Sequence, residues 1–186
     1  AVEAAIKLHE SVASKLEIID KIVIRTQEPA IRIISKVGKL ANAADRDHCI
    51  QYMVAVGLIF GDLIAEYYED DFHQENQLID KLRDKMIIEE DNQFSMDYLD
   101  PEKRSIANAV QVFFNDGTCS DDIQIEYPIG HKKRREEGIP LLEEKFWNNL
   151  NTCFDKDKSK LIYDLCLDQE KLEKTKVHEF MELFVK

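Results

Sequence analysis

Residues 45–63 read DRDHCIQYMVAVGLIFGDL and contain the longest apolar run of the chain, Met53 to Phe60. The run follows two carboxylates and predicts one long helix from Asp45 through about Tyr67, with Asp45 or Asp47 capping the free N–H groups of its first turn. The run is eight residues long. Since roughly 20 apolar residues are needed to cross a bilayer, no membrane span is expected.

This predicted helix contains two pairs of residues whose members are four positions apart in the sequence. Gly57 and Gly61 predict that another backbone packs closely against it. His48 and Tyr52 would lie one above the other on a single face, which places an imidazole and a phenol together as an acid/base pair. The alternative is structural, with His48 at the helix start and Tyr52 half-buried and hydrogen-bonded locally.

Upstream of this stretch the apolar spacing changes from helical to strand-like and back. Residues 1–19 follow the helical period, and KIVIRT (residues 21–26) is typical of a short strand. Pro29 favours the start of a brief helix that runs to Ile34. The polar segment 35–44 is expected to form a loop.

Downstream, an acidic helix is predicted over residues 74–85, followed by three segments rich in β-branched and aromatic residues. These segments are MIIEED, SIANAVQVFF and DIQIEYP. Asn115-Asp116-Gly117 lies between the last two and indicates a hairpin, because these residues tolerate the positive φ of tight turns. A small mixed sheet is therefore expected.

From Gly138 onward the pattern is helical again, over residues 139–154, 159–166 and 177–185. We therefore predict an α+β fold, in which a small mixed sheet with flanking helices is followed by a helical C-terminal segment. The boundary is placed near Glu136. The apolar faces of the last helices need a partner to cover them.

The only dense basic cluster is His131-Lys132-Lys133-Arg134-Arg135, on an expected loop after the last strand. Guanidinium groups suit carboxylates, so this cluster is a candidate anion site. The alternative is a solvated charge run partly neutralised by the glutamates at positions 136 and 137. Lys36, Lys39 and Arg46 are further cationic candidates.

Composition excludes several other classes. The net charge of −12 argues against nonspecific nucleic-acid binding. The four cysteines are far apart without a CxxC pair, which favours a reducing cytoplasm and argues against zinc or an iron-sulfur cluster. No glycine-rich phosphate loop is present. Three isolated histidines are interpreted as surface residues: His9, His73 and His178. Without an initiator Met or a leader, the chain is expected to begin within a longer protein.

Four ordered motifs resemble the MmgE/PrpD family essentially end to end. They are DRDHCIQYMVAVGLIFGDL (45–63), DPEKRSIANAVQVFFNDGT (100–118), IEYPIGHKKRREEGIPLLEEKF (125–146) and LCLDQEKLEKTKVHEFMELFV (165–185). The resemblance implies a large helical domain that the chain leaves and re-enters around a smaller α/β lid. Residues 1–135 would be most of the lid, and residues 136–186 the returning helices. Most of the helical domain, with family catalytic His, Asp and Lys residues, would then lie upstream.

The reaction that this resemblance implies is removal of water from 2-methylcitrate, giving 2-methyl-cis-aconitate in propionate breakdown, without a cofactor, metal or iron-sulfur cluster. By the same resemblance, Tyr52 is the lid tyrosine of the pocket, which donates to the leaving hydroxyl or to a substrate carboxylate, and His48 orients it. Arg46, His131 and Arg134 are assigned to binding of the small tricarboxylate substrate.

The family resemblance leaves other functions open and also implies an oligomeric state. Sister enzymes of the family act as cis-aconitate decarboxylases or as epimerases of small dicarboxylates. A third reading is that the chain alone is a folded lid or dimerisation module without catalysis. The family also implies a homodimer.

Overall fold

The computed structural model describes residues 1–185. They divide into two compact units, Ala1–Pro128 and Ile129–Lys186, and each unit is described by itself. The division falls upstream of the boundary expected near Glu136. The assignment of the two units to a lid and to returning helices stays a prediction.

The first unit is an α+β fold, as predicted. Its elements, in chain order, are α1 (Val2–Val12), a 3-10 helix (Ala13–Ile18), β1 (Ile19–Thr26), α2 (Glu28–Ile34), α3 (Ala43–Asp47), α4 (Ile50–Phe60), a 3-10 helix (Ala65–Tyr68), α5 (Asp70–Glu75), α6 (Leu78–Arg83), β2 (Met86–Glu90), α7 (Asn92–Leu99), β3 (Asn108–Phe114) and β4 (Ile123–Ile125).

The four strands form one mixed sheet in the order β2-β1-β3-β4. β1 pairs with β2 in parallel, with Ile22 opposite Met86, and with β3 in antiparallel, with Val23 opposite Gln111. The predicted strands and the mixed sheet are confirmed. The hairpin is confirmed too, because Gly117 has φ +83° and donates its N–H to the carbonyl of Phe114 at 3.0 Å.

Helices α1 and α4 pack against each other at the centre of the core. A Cβ on Gly57 would lie 3.0 Å from Cβ of Ala5, and one on Gly61 would lie 2.7 Å from Cδ2 of His9. The expected close approach of another backbone is therefore confirmed. His9 was wrongly placed at the surface, since its Nδ1 lies 3.0 Å from the carbonyl oxygen of Leu58.

The predicted long helix from Asp45 to Tyr67 was wrong. α3 ends at Asp47, and α4 begins only at Ile50 because Cys49 has extended backbone angles. Gly61 ends α4 with φ +70°, a left-handed conformation that glycine adopts at little cost. The cap is also corrected, since the Asn42 side chain, rather than Asp45 or Asp47, accepts the first-turn N–H. The acidic helix predicted over residues 74–85 was also wrong, because two shorter helices, α5 and α6, occupy this region.

The second unit is helical, as predicted. It contains a 3-10 helix (Lys132–Arg134), α8 (Arg135–Cys153), α9 (Lys156–Leu167), α10 (Gln169–Lys174) and α11 (Val177–Glu182). Leu150 on α8 and Ile162 on α9 are buried, and the rings of Phe146 and Tyr163 stack between the two helices with centroids 5.8 Å apart. Several large apolar side chains of this unit are exposed, among them Leu142, Leu161, Val177 and Met181.

Candidate functional site

Tyr52 lies on the first turns of α4, in the interior of the first unit. The residue is 0% exposed, and its hydroxyl donates a 2.6 Å hydrogen bond to the carbonyl oxygen of Tyr67. Tyr67 belongs to the 3-10 helix that follows α4. The Tyr52 phenol is thus held by the 3-10 helix that contains Tyr67, a segment that had been predicted to continue the helix of Tyr52.

Two further rings surround the Tyr52 ring. The ring of Tyr68 stacks at a centroid distance of 6.1 Å, and the ring of His73 meets it edge-on at 5.6 Å. Burial raises the pKa of Tyr52 to about 12, and the nearby Arg46 guanidinium offsets part of this rise. Burial also raises the pKa of Tyr68. Tyr52 therefore keeps its proton at neutral pH.

Arg46, on α3, is the largest fully buried side chain and is 2% exposed. Its Nε donates a 2.6 Å hydrogen bond to the carbonyl oxygen of Tyr68, and its Nη2 is paired with the carboxylate of Asp70. Both contacts hold the segment after α4. The predicted role in substrate binding stays a prediction, and it requires one of these contacts to open.

His48 lies in the turn between α3 and α4, so the expected stacking of His48 and Tyr52 on one helix was wrong. Its side chain is 63% exposed, and Nδ1 lies 2.5 Å from a carboxylate oxygen of Asp47. A carboxylate on one ring nitrogen fixes the tautomer and leaves Nε2 for proton transfer. The pair is thus suited to acid/base chemistry facing solvent.

The sequence did not indicate the ionic chain behind the Tyr52 ring. His73, expected at the surface, is 14% exposed, and its Nε2 lies 3.0 Å from the carboxylate of Asp80. Arg83 binds the other oxygen of that carboxylate. The spacing of three between Asp80 and Arg83 on α6 is a signal for an ion pair, but nothing local shows that the Arg83 guanidinium is buried.

The loop of residues 35–42 carries the cationic candidates Lys36 and Lys39. Lys36 Nζ lies 3.3 Å from the Asp45 carboxylate. The backbone N–H of Ala41 and the Lys36 ammonium, both hydrogen-bonded to that carboxylate, lower the pKa of Asp45. The loop is therefore tied to the first turn of α3, near Arg46.

The other two predicted binding residues lie in the second unit. His131 Nδ1 accepts a 3.1 Å hydrogen bond from the N–H of Lys133, and Arg134 is paired with Glu137 at 2.8 Å. Residues 132–137 line a cleft of about 400 Å³ at the start of α8. The basic cluster thus borders a half-open surface depression, and part of its charge is already neutralised by Glu137.

Residues 1–185 contain neither a cluster of metal-binding side chains nor a helix that could span a membrane. No group of three or more His, Cys, Asp or Glu side chains in this range is placed to hold a metal ion. None of the helices described there is long and apolar enough to cross a membrane.

The family model for the MmgE/PrpD C-terminal domain matches residues 1–169. The chain belongs to the MmgE/PrpD family. Within this family, the chain is 50% identical to a 2-methylcitrate dehydratase from Salmonella typhimurium in an alignment that covers 100% of the chain and 39% of the relative.

Two other MmgE/PrpD relatives match the chain with similar identity and coverage. A 2-methylcitrate dehydratase from Cupriavidus necator is 49% identical over 99% of the chain and 38% of its own length. A mitochondrial 2-methylcitrate dehydratase from Yarrowia lipolytica is 45% identical over 100% of the chain and 36% of its own length. The chain therefore spans well under half the length of these curated relatives.

Proposed function

We propose that this chain is the C-terminal part of a hydro-lyase that removes water from 2-methylcitrate to give 2-methyl-cis-aconitate. The observation that carries the proposal is the identity of 45 to 50% over the whole chain to bacterial and yeast proteins named 2-methylcitrate dehydratase. Because the chain spans only 39% of the Salmonella relative, the activity belongs to the longer protein.

Dehydration of a tricarboxylate needs a base for the proton next to a carboxylate and an acid for the departing hydroxyl. We assign Tyr52 to the acid side, because its phenol carries a proton at neutral pH and can donate it to the departing hydroxyl. Its pKa, raised to about 12, makes it a weak acid, so hydrogen-bond donation to the leaving oxygen or to a substrate carboxylate is its main contribution. It has to exchange its hydrogen bond with the Tyr67 carbonyl for one to the substrate. His48, paired with Asp47, is the second proton-transfer group of this chain.

Cationic groups must hold the carboxylates of the substrate. Arg134 and His131 are our candidates in the second unit, because Arg134 lines the cleft of residues 132–137 and His131 directly precedes it. Arg46 is the candidate in the first unit. A carboxylate would replace Asp70 on its guanidinium, since that aspartate is 64% exposed on its side chain.

The remaining parts of the proposal concern the whole protein. We propose an upstream helical domain that supplies the missing catalytic groups, a homodimer, and a cytoplasmic role in propionate catabolism without an iron-sulfur cluster. The four cysteines support a reducing compartment, because all of them are free thiols.

The test is turnover of 2-methylcitrate by the full-length protein, followed by ultraviolet absorbance of the conjugated product, beside the 186-residue chain alone. We expect activity only in the full-length protein. Activity on cis-aconitate or on small dicarboxylates, with none on 2-methylcitrate, would replace the proposal by a sister reaction. Activity of neither protein on any of these substrates would leave the chain as a folded module without this chemistry.

A further inference from the structure

A path of hydrogen-bonded ionic groups connects the ring of Tyr52 to the loop of residues 35–42; the Arg83 side chain at its end is buried, whereas Asp80 in its middle is 38% exposed. The His73 ring meets the Tyr52 ring edge-on at 5.6 Å, and His73 Nε2 lies 3.0 Å from Oδ2 of Asp80. The other oxygen of Asp80 accepts a hydrogen bond from Nη1 of Arg83. Three residues from α5 and α6 thus form one continuous path behind the phenol.

Arg83 carries this path to the loop. Its Nη2 donates a 2.9 Å hydrogen bond to the carbonyl oxygen of Gly38, which has φ +81°. The Arg83 side chain is 6% exposed, so the guanidinium is fixed between α6 and the loop. Movement of either Asp80 or Gly38 would therefore be transmitted to the other.

The loop is held to α4 from its opposite side. The buried amide of Gln51, the residue before Tyr52, accepts a 3.2 Å hydrogen bond from the N–H of Lys36 and donates one of 3.0 Å to Oγ of Ser35. The loop and the Tyr52 ring are thus connected twice, once along the backbone of α4 and once through Arg83.

Stability alone does not explain why the Arg83 guanidinium is buried. A buried guanidinium is costly unless all of its donors are satisfied, and Nε of Arg83 has no hydrogen-bond acceptor among the described residues. An apolar side chain of similar volume often serves stability equally well. Departures of this kind are expected where positioning matters more than stability.

We propose that Arg83 is a positioning residue that fixes the Tyr52 phenol for proton transfer, acting through Asp80 and His73. The inference rests on the proposed function of Tyr52. Arg83 makes no hydrogen bond to the phenol, so its contribution to turnover would act through the position of the Tyr52 hydroxyl. Its removal should therefore lower kcat rather than raise KM.

The test is a double-mutant cycle in the full-length protein with Arg83→Lys and Tyr52→Phe. Lysine keeps the charge but cannot bind Asp80 and Gly38 with one planar fork. We expect Arg83→Lys to lower kcat about 10-fold or more with little change in KM, since small misplacements of a catalytic group can cost up to about 100-fold. In the Tyr52→Phe background the same substitution should have almost no effect.

The matched control is Arg25→Lys. Arg25 also bridges two groups, the carboxylates of Asp91 and Asp122 at 3.1 and 2.6 Å, but it contacts none of the residues of this path. We expect it to leave kcat unchanged. An equal loss of kcat from Arg83→Lys in both backgrounds would overturn the proposal, as would full activity of that variant.

A second variant replaces Arg83→Lys if that variant does not fold, and a second measurement is available if no substrate is converted. If Arg83→Lys does not fold, His73→Phe keeps an aromatic ring against Tyr52 but removes the bond to Asp80, and the same non-additivity is expected. The cycle is run on whichever of 2-methylcitrate, citrate or cis-aconitate the protein converts.

If none is converted, the proposed function fails, while NMR of isotope-labelled tyrosines still decides on Arg83. Tyr52 ring signals that move in Arg83→Lys but not in Arg25→Lys support positioning. Ring signals that stay unchanged in Arg83→Lys overturn it.

Discussion

The phenolic oxygen of Tyr52 lies 2.6 Å from the carbonyl oxygen of Tyr67, to which it donates a hydrogen bond. Tyr67 lies in the 3-10 helix Ala65–Tyr68, whose next carbonyl, that of Tyr68, is bound by the buried Arg46. The phenol and the segment that covers it are therefore fixed by neighbouring contacts. Proton donation by Tyr52 requires the substrate to compete with a backbone carbonyl.

Tyr52→Phe in the full-length protein is expected to lower kcat for 2-methylcitrate about 100-fold, the usual contribution of a general acid. Steady-state kinetics with purified protein provide the measurement. Tyr98→Phe is the matched control, because Tyr98 is 37% exposed on α7 and has no role in the proposed site. Full turnover in Tyr52→Phe would remove Tyr52 from the reaction.

The stability of the chain is expected to fall between about pH 10 and pH 12. The pKa of Tyr52 is raised from 10.0 to about 12, so above pH 10 the folded state binds this proton more tightly than the unfolded chain. The contribution is fully present below pH 10 and is lost as the pH rises through about 12. Urea unfolding at stepped pH should show a smaller fall in Tyr52→Phe, and an unchanged fall in Tyr98→Phe. An equal fall in Tyr52→Phe and the unsubstituted chain would contradict the pKa shift.

Arg46→Ala is expected to lower the free energy of unfolding by about 2 kcal/mol, because it removes a charged hydrogen bond to the buried carbonyl of Tyr68 and leaves a void. Arg32→Ala is the control, since Arg32 is 71% exposed and its ion pair with Glu28 is 3.8 Å long. Its effect should stay within about 0.5 kcal/mol. Urea unfolding of both variants provides the comparison, and equal effects would mean that the buried contacts of Arg46 contribute nothing.

Gly57→Val is expected to destabilise the first unit by about 1 to 3 kcal/mol through overpacking. The added Cβ would lie 3.0 Å from Cβ of Ala5 and 3.5 Å from the backbone of α1. Gly130→Val is the control, because no atom lies within 4 Å of a Cβ at that position. Chemical unfolding monitored by circular dichroism measures both, and a neutral Gly57→Val would show that α1 and α4 can separate without cost.

Arg134→Ala is expected to raise KM for 2-methylcitrate about 10-fold and to weaken the salt dependence of KM, because it removes a cation beside the cleft of residues 132–137. Lys174→Ala is the control, since Lys174 is 78% exposed on α10 and lies outside that cleft. KM measured over a range of salt concentrations tests both variants. A KM that matches the unsubstituted protein at every salt concentration would exclude Arg134 from substrate binding.

Local sequence patterns were sufficient for the strands and for the hairpin. KIVIRT became part of β1, and Asn115-Asp116-Gly117 became the turn after β3. The turn is decided by interactions within a few residues, through tolerance of positive φ. The strand was recognised from its side-chain pattern, although its pairing partners β2 and β3 are distant in the chain. The end of α4 at Gly61 was missed, although glycine is a common helix terminator.

The sequence by itself determined the α+β class and the strands, and its resemblance to the family pointed to Tyr52, whose role stays a proposal. Only the tertiary structure decided that α3 and α4 separate at His48 and Cys49, and that Arg46 and Arg83 are buried. The reason is the distance along the chain between partners: Arg46 binds a carbonyl 22 residues away, and Arg83 binds one 45 residues away. Propensity and periodicity act over one or two turns of helix, so contacts of this range are fixed only when the whole unit folds.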